Sequence, residues 1–123
     1  MILVDTSVWI DHLRSPESRL QELLNANEVL AHPMVAGELV CGNITDRARF
    51  LRRMDAMPQA GERTHAEVRD FIESENLMGR GIGYIDAHLL YSTLCHDGAL
   101  LWTRDSRLSR IARELSVAYD ETS

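Results

Sequence analysis

Short apolar runs alternate along this chain with segments whose apolar residues recur every three or four positions. Ile2-Leu3-Val4, Val29-Leu30-Ala31 and Leu100-Leu101-Trp102-Thr103 read as strands. Between them, Thr6 or Ser7 can cap a helix carrying Val8, Trp9, Ile10 and Leu13. Pro16 opens a second helix through Leu20, Leu23 and Leu24, and Pro33 a third that ends near Gly42. Thr45 or Asp46 can cap a helix with Phe50, Leu51 and Met54, and Thr64 starts one through Val68, Phe71 and Ile72. Glycines at 79, 81 and 83 mark a turn before a helix that begins near Tyr84. Asp105 begins a final helix carrying Leu108, Ile111, Ala112 and Leu115. Residues 58–63 form a loop with room for a short strand, and residues 117–119 read as a short last strand. This alternation predicts an α/β fold with a mainly parallel sheet. No repeat, linker or low-complexity segment interrupts it, so residues 1–123 are expected to form one domain.

Acids stand in apolar company within this pattern. Asp5 ends the first strand, Glu38 lies inside Met34-Val35-Ala36-Gly37-Glu38-Leu39-Val40, and Asp86 inside Tyr84-Ile85-Asp86-Ala87-His88-Leu89-Leu90. Asp105 closes Leu100-Leu101-Trp102-Thr103-Arg104-Asp105. A buried carboxylate without a partner is costly, and these acids have few cations beside them. Asp5 and Asp105 both follow strands, at the sheet edge where open α/β folds bind ligands. Glu38 shares a helical face with Val35, Leu39 and Gly42, which predicts a partly sheltered position. Asp86 sits in the first turn of its helix, in line with Leu89, Leu90 and Thr93. Capping or the helix dipole explains a single such acid, at about 0.3–1 kcal/mol. Neither explains four acids that can converge on one edge. Crowded carboxylates repel until a divalent cation sits among them, and oxygen-only ligation selects magnesium or manganese over zinc. A site of that kind can activate water against phosphorus and stabilise the leaving oxygen. No covalent nucleophile stands beside a base, so metal-assisted phosphodiester hydrolysis is the economical expectation.

Composition narrows the alternatives. The net charge of −6 runs against nucleic-acid binding, although it says little about local patches. All 13 cations are arginine, which excludes any lysine-dependent chemistry: phosphate-loop, Schiff-base or receiver type. A haloacid-dehalogenase-like phosphatase is disfavoured too, since position 7 is serine where a second aspartate is needed. No apolar run reaches membrane-spanning length and nothing resembles a signal peptide, so a cytoplasmic protein is expected. Cys41 and Cys95 lie in apolar helical settings and are expected to be buried, reduced thiols rather than a disulfide. The five histidines show no metal-pair spacing, and Trp9 is expected in the core or at a subunit contact.

The opening Met1-Ile2-Leu3-Val4-Asp5-Thr6-Ser7-Val8-Trp9-Ile10-Asp11 resembles that of PIN-domain ribonucleases, particularly the VapC-type toxins of bacterial toxin–antitoxin pairs. Gly37-Glu38-Leu39, Ile85-Asp86-Ala87 and Thr103-Arg104-Asp105 fall at the order and spacing of that family's acids, so the resemblance spans essentially the whole chain. It implies a three-layer α/β/α sandwich and endoribonuclease activity dependent on Mg²⁺ or Mn²⁺, leaving a 5′-phosphate and a 3′-hydroxyl. It further implies a homodimer or toxin–antitoxin hetero-oligomer, with a VapB-like antitoxin whose C-terminal segment blocks the site. Carried over, Asp5, Glu38, Asp86 and Asp105 bind the cation or orient its waters, and Thr6 or Ser7 holds an acid or a water, the family pattern favouring Ser7. One or two of Arg104, Arg107, Arg110 and Arg113 could hold RNA phosphates; their spacing drifts around the helix, so not all can face one groove. Asp11 and Asp97 read as solvated. The contrasting expectation is a catalytically silent module of the same fold that only binds a partner or RNA.

Overall fold

The structure, a computed structural model, describes residues 1–122. In chain order it contains β1 (Ile2–Val4), α1 (Thr6–Arg14), α2 (Ser18–Asn25), β2 (Val29–Leu30), α3 (Pro33–Val40), α4 (Arg47–Ala56), α5 (His65–Ser74), α6 (Tyr84–Cys95), β3 (Leu100–Trp102) and α7 (Ser106–Glu114). The strands form a parallel sheet in the order β2-β1-β3, with Ile2 opposite both Val29 and Leu100. Ile2, Leu3 and Val4 are all buried. Successive strand residues point to opposite faces, so a wholly buried β1 requires helices on both sides. The result is the expected α/β sandwich.

Strand order fixes where a site can form. The chain leaves β1 for β2 on one side, then crosses back to lay β3 on the other. Directions therefore diverge at β1, and in folds of this kind ligands bind beyond the carboxyl ends of the strands at that point. Single parallel bridges extend the sheet at both flanks, Ala31 with Gln59 and Leu101 with Ala118. Residue 31 thus continues the second strand as a bridge, and the short strands anticipated near residues 59 and 118 are one bridge long.

Leu3, Leu20, Leu30, Leu89, Leu90, Leu101, Leu108 and Ile111 fill the core, and Trp9 is buried with them. Caps follow local chemistry. Thr64 and Glu67 form a reciprocal box at the start of α5. At α1 the cap is Asp5 rather than Thr6 or Ser7. Asp46 precedes α4 in the left-handed region, φ 52°, and makes no side-chain cap bond. Cys41 and Cys95 are free but exposed, which corrects the expectation of buried thiols. Both lie at the ends of their helices, where the apolar stripe has already run out.

Candidate active site

Asp5 stands at the carboxyl end of β1, where the strand order diverges. Its residue is only 6% exposed, and its backbone N–H still belongs to the sheet, donating to Trp102 O at 2.9 Å. The side chain is satisfied by neutral donors. Thr6 N reaches Oδ1 at 2.8 Å, while Ser7 Oγ and Thr103 Oγ1 reach Oδ2 at 2.9 and 2.7 Å. Hydroxyls fix the carboxylate without cancelling its charge, as an arginine would. Ser7 Oγ also accepts the Arg104 N–H at 3.1 Å, and Thr103 Oγ1 the Asp105 N–H at 3.1 Å. These contacts weld the end of β3 to the start of α1.

The other acids arrive from three helices. Asp105 caps α7, its Oδ1 accepting from Arg107 N at 3.0 Å and Leu108 N at 2.9 Å. Asp86, half-buried in the first turn of α6, accepts from Gly83 N at 3.1 Å through Oδ2. Glu38 lies exposed on α3 and accepts the Thr6 hydroxyl at 2.6 Å. The sheltered position expected from its helical face is not found. Val35 and Leu39 take the buried side, while Gly37 and Glu38 face out. Thr6 and Ser7 each hold an acid, so the preference for Ser7 alone was too narrow.

Electrostatics ties the four together. Burial raises the Asp86 carboxyl above its usual range; the Gly83 N–H pulls the other way, and the negative charges of Asp5, Asp105 and Glu38 each add a smaller upward push. Among the described residues none of these four acids joins an ion pair. As placed, no three acidic, histidine or cysteine side chains there stand together as a ready-made ion cage. A magnesium-type ion needs only one or two carboxylates together with waters. The oxygen-only donors, the unneutralised charge and the disfavoured Asp86 anion fit such a hard cation.

Arg104 does the opposite of what its position implied. Its guanidinium is bound by Asp11 at 2.8 Å, Glu17 at 2.8 Å and Glu121 at 3.2 Å, and it lies 5.7 Å from the Trp102 ring centroid. Asp11 is therefore paired, not merely solvated. Trp102 Nε1 also donates to Glu121. Sequence reasoning missed Thr103, whose place between the β3 end and Asp105 was the available signal. It also missed an aromatic–imidazole cluster: His65 stacks on Tyr84, and both meet the buried His88 edge-on.

Comparison with known proteins identifies the family of the fold. The PIN domain family matches residues 2–114. The chain is 46% identical over 121 residues to Ribonuclease VapC32 of two Mycobacterium tuberculosis strains, CDC 1551 / Oshkosh and H37Rv, covering 98% of each chain. A crystal structure of PAE2754 from Pyrobaculum aerophilum superposes with a TM-score of 0.55 at 16% identity, covering 94% of this chain and 96% of that one; this likeness speaks for the fold alone. By family match and by identity along its length, the chain belongs to the PIN-domain family.

Proposed function

We propose that this protein is a divalent-metal-dependent endoribonuclease of the VapC type, the toxin of a toxin–antitoxin pair. The observation that carries the reading is four uncompensated carboxylates grouped where strand order diverges, with Asp86 disfavoured as an anion chiefly by burial and further by the other three. The 46% identity to proteins named ribonucleases supports RNA as the substrate.

Asp5, Asp86, Asp105 and Glu38 are the residues that would hold Mg²⁺ or Mn²⁺. When bound, the ion would lower the pKa of water and offset charge developing on the phosphate oxygens. The chain's own contribution is position. Thr103 and Ser7 lock Asp5 in one rotamer, Thr6 restrains Glu38, and the α7 amides restrain Asp105. Asp86 and Asp105 each keep one oxygen without a protein hydrogen bond among the described residues. Hydrolysis would leave a 5′-phosphate and a 3′-hydroxyl.

An antitoxin segment bearing arginine would suit the same acids through charge-assisted pairs, and the −6 net charge would attract a basic tail. A homodimer, or a hetero-oligomer with antitoxin, is the assembly proposed. No helix among the described residues is long and apolar enough to cross a membrane.

The test is RNA cleavage by antitoxin-free protein with Mg²⁺, Mn²⁺ or EDTA. Cleavage should require the metal and fall at least a hundredfold in Asp5→Asn. Cleavage by Asp5→Asn at the native rate would overturn the assignment. Co-expression of the short reading frame expected upstream should relieve growth arrest.

A further inference from the structure

We propose that Arg107 is the residue that grips an RNA phosphate beside the acids, and that Gly81 is the seat that aims it. This rests on the ribonuclease reading and adds to it the point where the strand is held. Arg107 is tied at its backbone, and its side chain rests against a turn. Its backbone N–H donates to Asp105 Oδ1 at 3.0 Å, so its Cα is tied to a candidate ligand. Its side chain lies across Gly81: a β-carbon there would stand 2.6 Å from Arg107 Cδ, 3.0 Å from Nη1 and 3.1 Å from Nε. Gly81 has φ +84°, a conformation that side chains rarely adopt, so this position favours glycine twice over.

The seat is rigid. Arg80, next in the chain, makes a two-pronged contact with Glu114 at the end of α7, at 2.9 and 2.5 Å. The turn carrying Gly81 is thereby pinned to the helix that carries Arg107. The same turn leads into α6 and Asp86, so Arg107 spans the two segments that deliver Asp86 and Asp105.

Its charge is unmatched and stands nearest the acids. Arg104 is matched by three carboxylates and Arg80 by Glu114; Arg110 and Arg113 also lack an ion pair among the described residues, but they lie further along α7 from Asp105. Arg107 is exposed and belongs to no ion pair among the described residues. A polyanion approaching a chain of net charge −6 needs a fixed cation at its point of contact. A metal ion would neutralise the acids, yet it leaves the register of the strand open. The planar fork of a guanidinium held against backbone supplies that register through paired N–H···O bonds to one phosphate.

The test is binding, separated from cleavage. A fluorescein-labelled single-stranded RNA oligonucleotide is titrated with full-length protein in EDTA at several salt concentrations. Native protein, Arg107→Gln, Arg110→Gln and Gly81→Ala are compared after circular dichroism confirms folding. Loss of one phosphate contact should reduce the slope of log affinity against log salt by about 0.7 in Arg107→Gln. Arg110→Gln should keep the native slope. Gly81→Ala keeps every charge but displaces the guanidinium, so its affinity should fall severalfold at fixed salt. If Arg107→Gln binds with native affinity and slope, the role of Arg107 is wrong while the ribonuclease reading stands. If native protein binds no RNA in this titration, the role of Arg107 falls, while the ribonuclease reading is decided separately by the metal-dependent cleavage assay. Arg107 is exposed, so its variant decides the matter even if Gly81→Ala folds poorly.

Discussion

Thr103 Oγ1 donates to Asp5 Oδ2 at 2.7 Å across 98 residues of sequence, and the same Thr103 hydroxyl oxygen accepts the Asp105 N–H at 3.1 Å. One side chain thus sets the spacing of two strand-end acids. Thr103→Val keeps the shape and removes both bonds. It should lower stability by about 1–2 kcal/mol, because a half-buried acceptor loses its donor. Cleavage should fall more than stability predicts, roughly tenfold in kcat, since Asp5 is freed to rotate. Chemical denaturation and single-turnover cleavage check the two effects separately; native kcat in a folded variant would show that Asp5 needs no such brace.

The repulsion at Asp86 makes a thermodynamic prediction. Without metal, Asp86→Asn removes a charge that burial and three neighbouring acids oppose. The metal-free variant should melt at or above the native temperature. Adding Mg²⁺ or Mn²⁺ should raise the native melting temperature and leave the variant nearly unmoved. Thermal scans with and without EDTA decide, and an equal metal-dependent rise in both proteins would remove Asp86 from the ligand set.

His32 predicts an acid limb of stability. The imidazole is buried at the start of α3, where Nδ1 accepts the Met34 N–H at 3.0 Å. The proton must then sit on Nε2, facing Ser92 Oγ at 3.0 Å, and Ser92 in turn donates to Gly61 O. Burial, with His88 adding, lowers the His32 pKa to about 4. Between the unfolded value near 6.5 and about 4, the unfolded chain holds the extra proton. This contribution is therefore complete above about pH 6.5 and is lost as pH falls towards 4, by about 3 kcal/mol in all. Urea unfolding from pH 7 to pH 4 should show the loss. In His32→Asn, which can still cap the helix, that limb should be shallower.

Arg104 should matter for the C-terminal segment and not for RNA. It joins Asp11, Glu17 and Glu121, so Arg104→Gln strands three carboxylates. Because the side chains are partly exposed, the cost should be about 1–2 kcal/mol. Amide exchange should rise at residues 118–122, while the salt slope of RNA binding stays native. A reduced slope instead would make Arg104 a phosphate ligand.

What the sequence disclosed follows the range of the forces involved. Strand ends, the Thr64 helix start and the Asp105 cap were legible, because each depends on residues within four positions. Asp5 at a strand terminus was legible for the same reason. Arg104 was not: its partners Asp11 and Glu17 lie 93 and 87 residues away, and no local pattern announces them. Glu38 misled because helical spacing assigns a face but not how far that face is covered. α3 is eight residues long, and Val35 and Leu39 exhaust its buried side. Cys41 and Cys95 misled similarly, as apolar neighbours say nothing about where a helix stops.

The single-residue bridges at either flank of the sheet have a consequence for assembly. A strand edge is a template that any extended chain can extend, and long open edges invite indiscriminate pairing. Here Gln59 shields the Ala31 side and Ala118 shields the Leu101 side, each for one residue before the chain turns away. A newcomer finds too little ladder to grow on. Whatever meets this protein is offered helical surfaces and the group of acids, so its companionship is selective by construction.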